Sequence, residues 1–402
     1  MQEQTPVSTD QIEKWRKETP GCSQRIHLNN AGAALMPQPV IDTIQAHLAL
    51  ENQIGGYEAA DAVSDQIENA YASVAGLVGG SPEHIAMVGN ATIAISLALS
   101  SFDYGPEDVI ITTNVDYSSN QIMLLNLAQR YGVKVHRAAD LPEGGADPDS
   151  VRQLVRDHNP KLLLMSWIPT HSGLVQDAVS VGEICRESGV PFLLDACQAV
   201  GQIPVDVHRL NVDFLAATSR KFLRGPRGMG FLYVSSQMLN QGKAPLFPDT
   251  HGARWSDVNE FELARSARRF ENWEFPVALQ LGMGRAAEYA AEAGMKRISE
   301  RNTMLADYAR NKIAGLKGAR ILDDGSQKSA IVSVGLNHAD AEKAVEALRI
   351  QQVNTSSASR SASIIDMDAK QARSILRISP HYYNTRKEID ECAYVLEEFL
   401  RL

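Results

Sequence analysis

Lys221 lies in "ATSRKFLRGPRGMG" (217–230), among three arginines, three glycines and a proline. A lysine in such a loop has three uses: a solvated cation, part of an anion cradle, or a nucleophile and base. Asp195 closes the apolar run "PFLLDA" (191–196), and Gln198 follows three residues later. A carboxylate there either caps a chain end or meets a protonated ligand nitrogen away from water. Thr218, Ser219 and Arg220 can bind an anion, and "GPRGMG" permits a tight turn with close backbone approach. Asn90, Ala91 and Thr92 open the apolar, helix-like "VGNATIAISLALSS" (88–101). Their N–H groups would suit a phosphate, although a plain N-cap reads the same way. Arg377 stands between Leu376 and Ile378 in "SILRISPHYYNT" (374–385). It either holds an anion such as a substrate α-carboxylate or snorkels from an edge strand. Each feature alone has a structural explanation. Together they supply the lysine, acid and anion site that an aldehyde cofactor with a phosphate and a pyridine nitrogen requires.

These residues need elements that converge. Between about residues 84 and 234, short apolar runs at 108–115, 134–139, 161–168, 191–196, 213–218 and 230–235 read as strands. Helical stretches at 118–132, 149–159 and 180–189 separate several of them. That alternation predicts a mostly parallel sheet covered on both faces, with ligands at the strands' carboxyl ends. Residues 237–275 are rich in proline, aromatics and charge and read as a linker or intersubunit segment. A long helical pattern from 276 leads into a mixed α+β segment. The expected division is an N-terminal arm (1–25), a large domain (26–275) and a small C-terminal domain (276–402).

The totals narrow the class. A chain of 402 residues with 44% hydrophobic and 22% charged residues is an ordinary globular composition. A formal net charge of -9 disfavours nucleic acid or an anionic membrane as the main partner, and the basic cluster of Arg220, Lys221, Arg224 and Arg227 stands out against it as one that could serve a small anion. The polar N-terminus lacks the apolar core of a signal peptide, and no run is long enough to span a bilayer, which makes the cytoplasm the expected location. Cys22, Cys185, Cys197 and Cys392 have no paired spacing, so neither a disulfide framework nor a metal site is expected.

With these motifs in order from "HLNNAGAALMPQPV" (27–40) to "LRISPHYYNT", the chain resembles the fold-type I pyridoxal-phosphate enzymes of the class V aminotransferase and cysteine desulfurase superfamily. The resemblance implies a mostly parallel seven-stranded sheet between helices, a smaller α+β domain and a homodimer using the segment near 237–275. It implies that Lys221 holds the cofactor covalently, Asp195 pairs with its pyridine nitrogen and Gln198 meets its phenolic oxygen. Asn90, Ala91, Thr92, Thr218 and Arg220 are implied to hold the phosphate, with Arg377 on the substrate carboxylate. Tyr117 falls where the family usually stacks a histidine on the ring, and Thr170 near where desulfurases carry an asparagine. Within the superfamily, "QIGGYEAAD" (53–61), "HSGLVQD" (171–177) and "TSRKFLRGPRGMG" (218–230) resemble the hercynylcysteine sulfoxide lyases of ergothioneine biosynthesis. Tyr57, His171 and Arg360 are further candidates for contact with a small amino-acid substrate. A structural histidine and a solvated loop arginine are the plainer readings of the last two.

One feature narrows the expected reaction. A cysteine desulfurase needs a mobile nucleophilic cysteine before the carboxylate-binding arginine, and residues 340–377 contain none. Elimination needs no second nucleophile. The expectation is therefore a β-eliminating C–S lyase on a cysteine S-conjugate or sulfoxide, releasing pyruvate and ammonia. An aminotransferase or epimerase using the same cofactor site is the alternative, and a non-catalytic regulator the more distant one.

Overall fold

A computed structural model describes residues 7–337 and 339–401. Its central feature is a seven-stranded sheet. After the short β1 (Ile26–His27), the strands are β2 (Ile85–Val88), β3 (Val109–Thr112), β4 (Lys134–Arg137), β5 (Leu162–Ser166), β6 (Phe192–Asp195), β7 (Phe214–Thr218) and β8 (Gly230–Val234). Their spatial order is β2-β8-β7-β6-β5-β3-β4. β8 runs opposite to the other six strands, which makes its pairings with β2 and β7 antiparallel and leaves the other four parallel, so the expected mostly parallel sheet is present.

Strand sequence explains this arrangement. "LLLMS", "FLLD", "FLAAT" and "GFLYV" are buried along their whole length, as strands covered on both faces must be. Alternate residues enter different cores: Leu163, Met165 and Leu194 join one, Leu162, Leu164 and Leu193 the other. The edge strand β4, "KVHR", is the partly exposed exception. The helices Ser118–Tyr131 and Ala178–Ser188 end at Gly132 (φ 76°) and Gly189 (φ 68°), left-handed positions that turn the chain back to the next strand.

The segment 237–275 contains a hairpin, β9 (Ala253–Asp257) and β10 (Glu260–Leu263), whose Trp255 and Phe261 are exposed. Two long helices, Val277–Ala293 and Met295–Ala314, follow. The remaining strands are β11 (Ala319–Ile321), β12 (Val332–Leu336), β13 (Val353–Asn354), β14 (Ser356–Ser359) and β15 (Ser374–Ile378). Four of them form an antiparallel sheet in the order β11-β12-β15-β14. The N-terminal region is tied to this part: β1 pairs with β13, and Arg16 on the first helix (Thr9–Lys17) donates to the Tyr383 carbonyl and pairs with Glu388 at 3.0 Å. Among the described residues no helix is long and apolar enough to cross a membrane.

Candidate active site

The carboxyl ends of β5, β6 and β7 line up because register pairs Ser166 with Asp195 and Asp195 with Ala216. Above them lies a cavity of about 480 Å³ lined by residues from each of these strand ends and from the start of the helix Ala91–Ser100. Asp195 is buried, and its carboxylate is held on both oxygens. Oδ1 accepts from Cys197 N (3.0 Å) and Oδ2 from Asn120 Nδ2 (2.9 Å). Held this way, the carboxylate is fixed in orientation before any ligand arrives.

Asn90 caps the helix Ala91–Ser100, accepting from Ile93 N at 3.0 Å. Ala91 and Thr92 line the cavity at the helix start, where free N–H groups and the helix dipole favour an anion. The nearby Gly230 is required by packing: a Cβ there would sit 2.5 Å from the Ala217 carbonyl oxygen and 3.1 Å from the Asn90 backbone. Thr218 and Arg220 line the same cavity, and Arg220 donates to the Gly32 carbonyl.

Lys221 also lines the cavity, 8% exposed, with its Nζ 5.9 Å from the centre of the Tyr117 ring. Burial pushes its amine below the ordinary lysine range. Asp195 and Cys197 oppose that shift, and Arg220 and Arg377 add to it. A buried amine that releases its proton readily is the form that attacks a carbonyl or takes up a proton. Gln198 donates to the Ala31 carbonyl (3.1 Å) and to Thr170 Oγ1 (2.9 Å). Its Oε1 and the Oδ1 of Asn120 are buried without a partner among the described residues, and both side chains line the cavity.

Arg377 is not itself a lining residue. It stands behind Thr170, which is. Its Nη1 donates to Thr170 O (2.6 Å) and Oγ1 (2.9 Å), and its Nε to Ser356 Oγ (3.1 Å). Nη2 has no hydrogen-bond partner among the described residues. Burial, with Arg220 nearby, pulls the guanidinium down to about 10, which leaves it charged at neutral pH.

Three candidates lie away from the cavity. Tyr57 is 74% exposed on the short helix Gly56–Ala62. Arg360 forms an exposed ion pair with Asp368. His171 is buried against Asp366, with Nε2 2.9 Å from Oδ2. Of the basic cluster that could serve an anion, Arg224 points elsewhere. That guanidinium is fully buried on the far side of the loop, bonded to Leu35 O, Tyr382 Oη and Thr19 Oγ1, and packed 4.4 Å from the Tyr383 ring centre. Cation–π and hydrogen-bond partners hold it there as a loop anchor. Arg227, by contrast, lines the cavity.

Asn120 and Ser356 carry geometry that the sequence reading missed. Asn120 had a detectable signal: it shares a helix face with Leu124, so a polar side chain there must be buried and bonded. Ser356 had none, being one serine in the tract "SSASRSAS".

The profile of the family described as Aminotransferase class-V matches residues 26–392. A probable cysteine desulfurase of Methanothermobacter thermautotrophicus is 27% identical over 396 residues, covering 95% of this chain and 96% of that protein. A probable hercynylcysteine sulfoxide lyase of Mycobacterium tuberculosis is 26% identical over 395 residues, covering 98% and 94%. Among solved structures, the apo cysteine desulfurase of Thermococcus onnurineus superposes with a TM-score of 0.88 at 22% identity, covering 97% of this chain and 98% of that one. The cystine C–S lyase C-DES, in complex with cysteine persulfide, gives 0.84 at 19% identity, covering 94% and 99%. At these identities the structural likeness concerns the fold.

Proposed function

The chain belongs to the class V aminotransferase family, and on that premise we propose that it is a pyridoxal 5'-phosphate-dependent C–S lyase. Its substrate in this reading is a cysteine S-conjugate or sulfoxide, cleaved by β-elimination and addition of water to pyruvate, ammonia and a thiol or sulfenic acid. The cavity's donor set supports the cofactor. A helix start with Thr92, Thr218 and Arg220 suits the phosphate, Asp195 suits a protonated pyridine nitrogen, and the unpartnered amide oxygens of Gln198 and Asn120 leave acceptor capacity for a ligand. Tyr117 offers a ring face on which an aromatic group can stack.

When bound, the cofactor supplies an electron-withdrawing ring that makes a Cα proton of the substrate amine removable. Asp195, held by Asn120 and Cys197 N, would pair with the protonated ring nitrogen. Arg377 orients the substrate through its carboxylate. Lys221 Nζ takes the Cα proton, and the Cβ–S bond breaks with its electron pair leaving on sulfur.

The observation that carries elimination over desulfuration is the placement of the cysteines. Cys197 is the one that lines the cavity among the described residues, and burial followed by the Asp195 charge drives its thiol far above the ordinary range. It is therefore a poor thiolate nucleophile. Cys185 and Cys392 are buried, and burial pushes the Cys22 thiol up to about 11. The exposed Phe247, Trp255 and Phe261 of segment 237–275 support a homodimer as the working form.

The test is product analysis. An S-alkylcysteine sulfoxide should give pyruvate and ammonia in equal amounts, and free cysteine should give no alanine. Alanine with sulfur transferred to a thiol acceptor would overturn the proposal in favour of desulfuration. A stable aminated cofactor with a keto acid product would favour transamination.

A further inference from the structure

His171 emerges from the sequence as a candidate contact, yet it does not line the cavity. It connects instead to both anchors of Arg377. Thr170, the preceding residue, accepts two hydrogen bonds from Arg377 Nη1. The His171 carbonyl accepts from Ser333 Oγ (2.6 Å), and Ser333 is the register partner of Arg377 across β12 and β15. On the other side of Arg377, Ser356 of β14 is again its register partner and accepts from its Nε.

The chain leaving β14 runs through Arg360–Ala362 into the short helix Ile364–Ala369. Asp366 of that helix reaches back to His171, at 2.9 Å from Nε2. Neither ring nitrogen makes an aligned hydrogen bond, so the link is one of close packing between the two side chains. Lys370 Nζ lies 2.9 Å from Asp366 and 2.9 Å from Asp324, and so steadies the carboxylate from the solvent side. The contacts close a ring: Arg377 to Thr170, His171 to Asp366, then along the chain to Ser356 and back to Arg377. Burying the Asp366 carboxylate carries a desolvation cost that an exposed position would avoid, and fixing one geometry is what such a buried contact contributes.

We propose that His171 and Asp366 are positioning residues for the substrate carboxylate, latching Thr170 and the β14 segment around Arg377 so that its Nη2 faces the ligand. The proposal rests on the reading of Arg377 as the carboxylate clamp. It predicts a specificity effect. Loosening the latch weakens binding of an amino acid but not of the corresponding amine, which has no carboxylate.

The test uses the holoenzyme with two probes: an S-alkylcysteine, and the S-alkylcysteamine that differs from it only by lacking the carboxylate. Binding is followed by the change in cofactor absorbance, and KM and kcat are measured for the S-alkylcysteine. Asp366→Asn and His171→Gln should each weaken S-alkylcysteine binding roughly tenfold, with a parallel rise in KM and a much smaller change in kcat. Binding of the amine should not move. Equal weakening of both probes, or of neither, overturns the latch. Should Asp366→Asn fail to fold, His171→Gln alone carries the test. Arg377→Lys is the control. If it too leaves the difference between probes unchanged, the carboxylate reading of Arg377 fails, an outcome distinct from failure of the latch alone.

Discussion

The two halves of the site are held in different ways. Asp195 and Thr218 end neighbouring strands of one sheet, where register pairing leaves their spacing little freedom, and Lys221 lies in the short turn that follows Thr218. Arg377 belongs to a second sheet, and its guanidinium is set by Thr170, from the loop that follows β5 of the first sheet, and by Ser356 from its own. The first half is therefore pre-formed by strand geometry, whereas the second depends on how two sheets meet. Damage to the first half should remove chemistry, and damage to the second should alter which ligand is gripped.

The sharpest way to break this contrast is at the lysine. Lys221→Ala should lower kcat by about a thousandfold, within the roughly hundred- to ten-thousandfold span of general acid–base catalysis. Substrate affinity, read by calorimetry on the cofactor-loaded protein, should change far less. Asp195→Asn keeps the shape and removes the charge, and kcat should fall roughly a hundredfold, within the span seen for a lost electrostatic stabiliser. Arg377→Lys should behave differently. A lysine cannot reproduce the planar fork, so KM should rise about tenfold or more while kcat moves less. A kcat loss at Arg377 as large as that at Asp195, with KM unchanged, would erase the distinction between the halves.

The same division governs what could be read from the sequence. "FLLD" and "FLAAT" declare buried parallel strands by composition, and their ends mark where Asp195 and Lys221 must lie. The Asn90 cap is equally local, a polar residue before an apolar helix. The role of Arg224 stayed open because residue type cannot tell which side of a tight loop a cation occupies. Its left-handed φ of 64° turns it toward Tyr382 and Tyr383, which lie some 160 positions along the chain. His171 and Asp366 were opaque for the same reason, their contact being set by the meeting of two sheets. Nothing in "PTHSG" or "IIDMDAK" announces the other.

The smallest expected effect tests whether the lysine half is strained before any ligand binds. Burial depresses the Lys221 amine, the reverse of a lysine that gains a partner. In the cofactor-free protein, the unfolded chain then holds this proton more tightly than the folded one. The charged form is penalised on folding at every pH below the depressed folded value, and the penalty shrinks as pH rises toward the unfolded value of about 10.4. Lys221→Met keeps the length and removes the charge, so the cofactor-free variant should melt a few degrees above the cofactor-free parent at neutral pH. That gap should close as the pH approaches the unfolded value. A gap that is absent at neutral pH, or that widens as pH rises, would mean that Asp195 and Cys197 already offset the burial of the amine. The lysine half would then be relaxed, and the readiness of Lys221 to act as a base would have to come from the bound cofactor instead of from the fold.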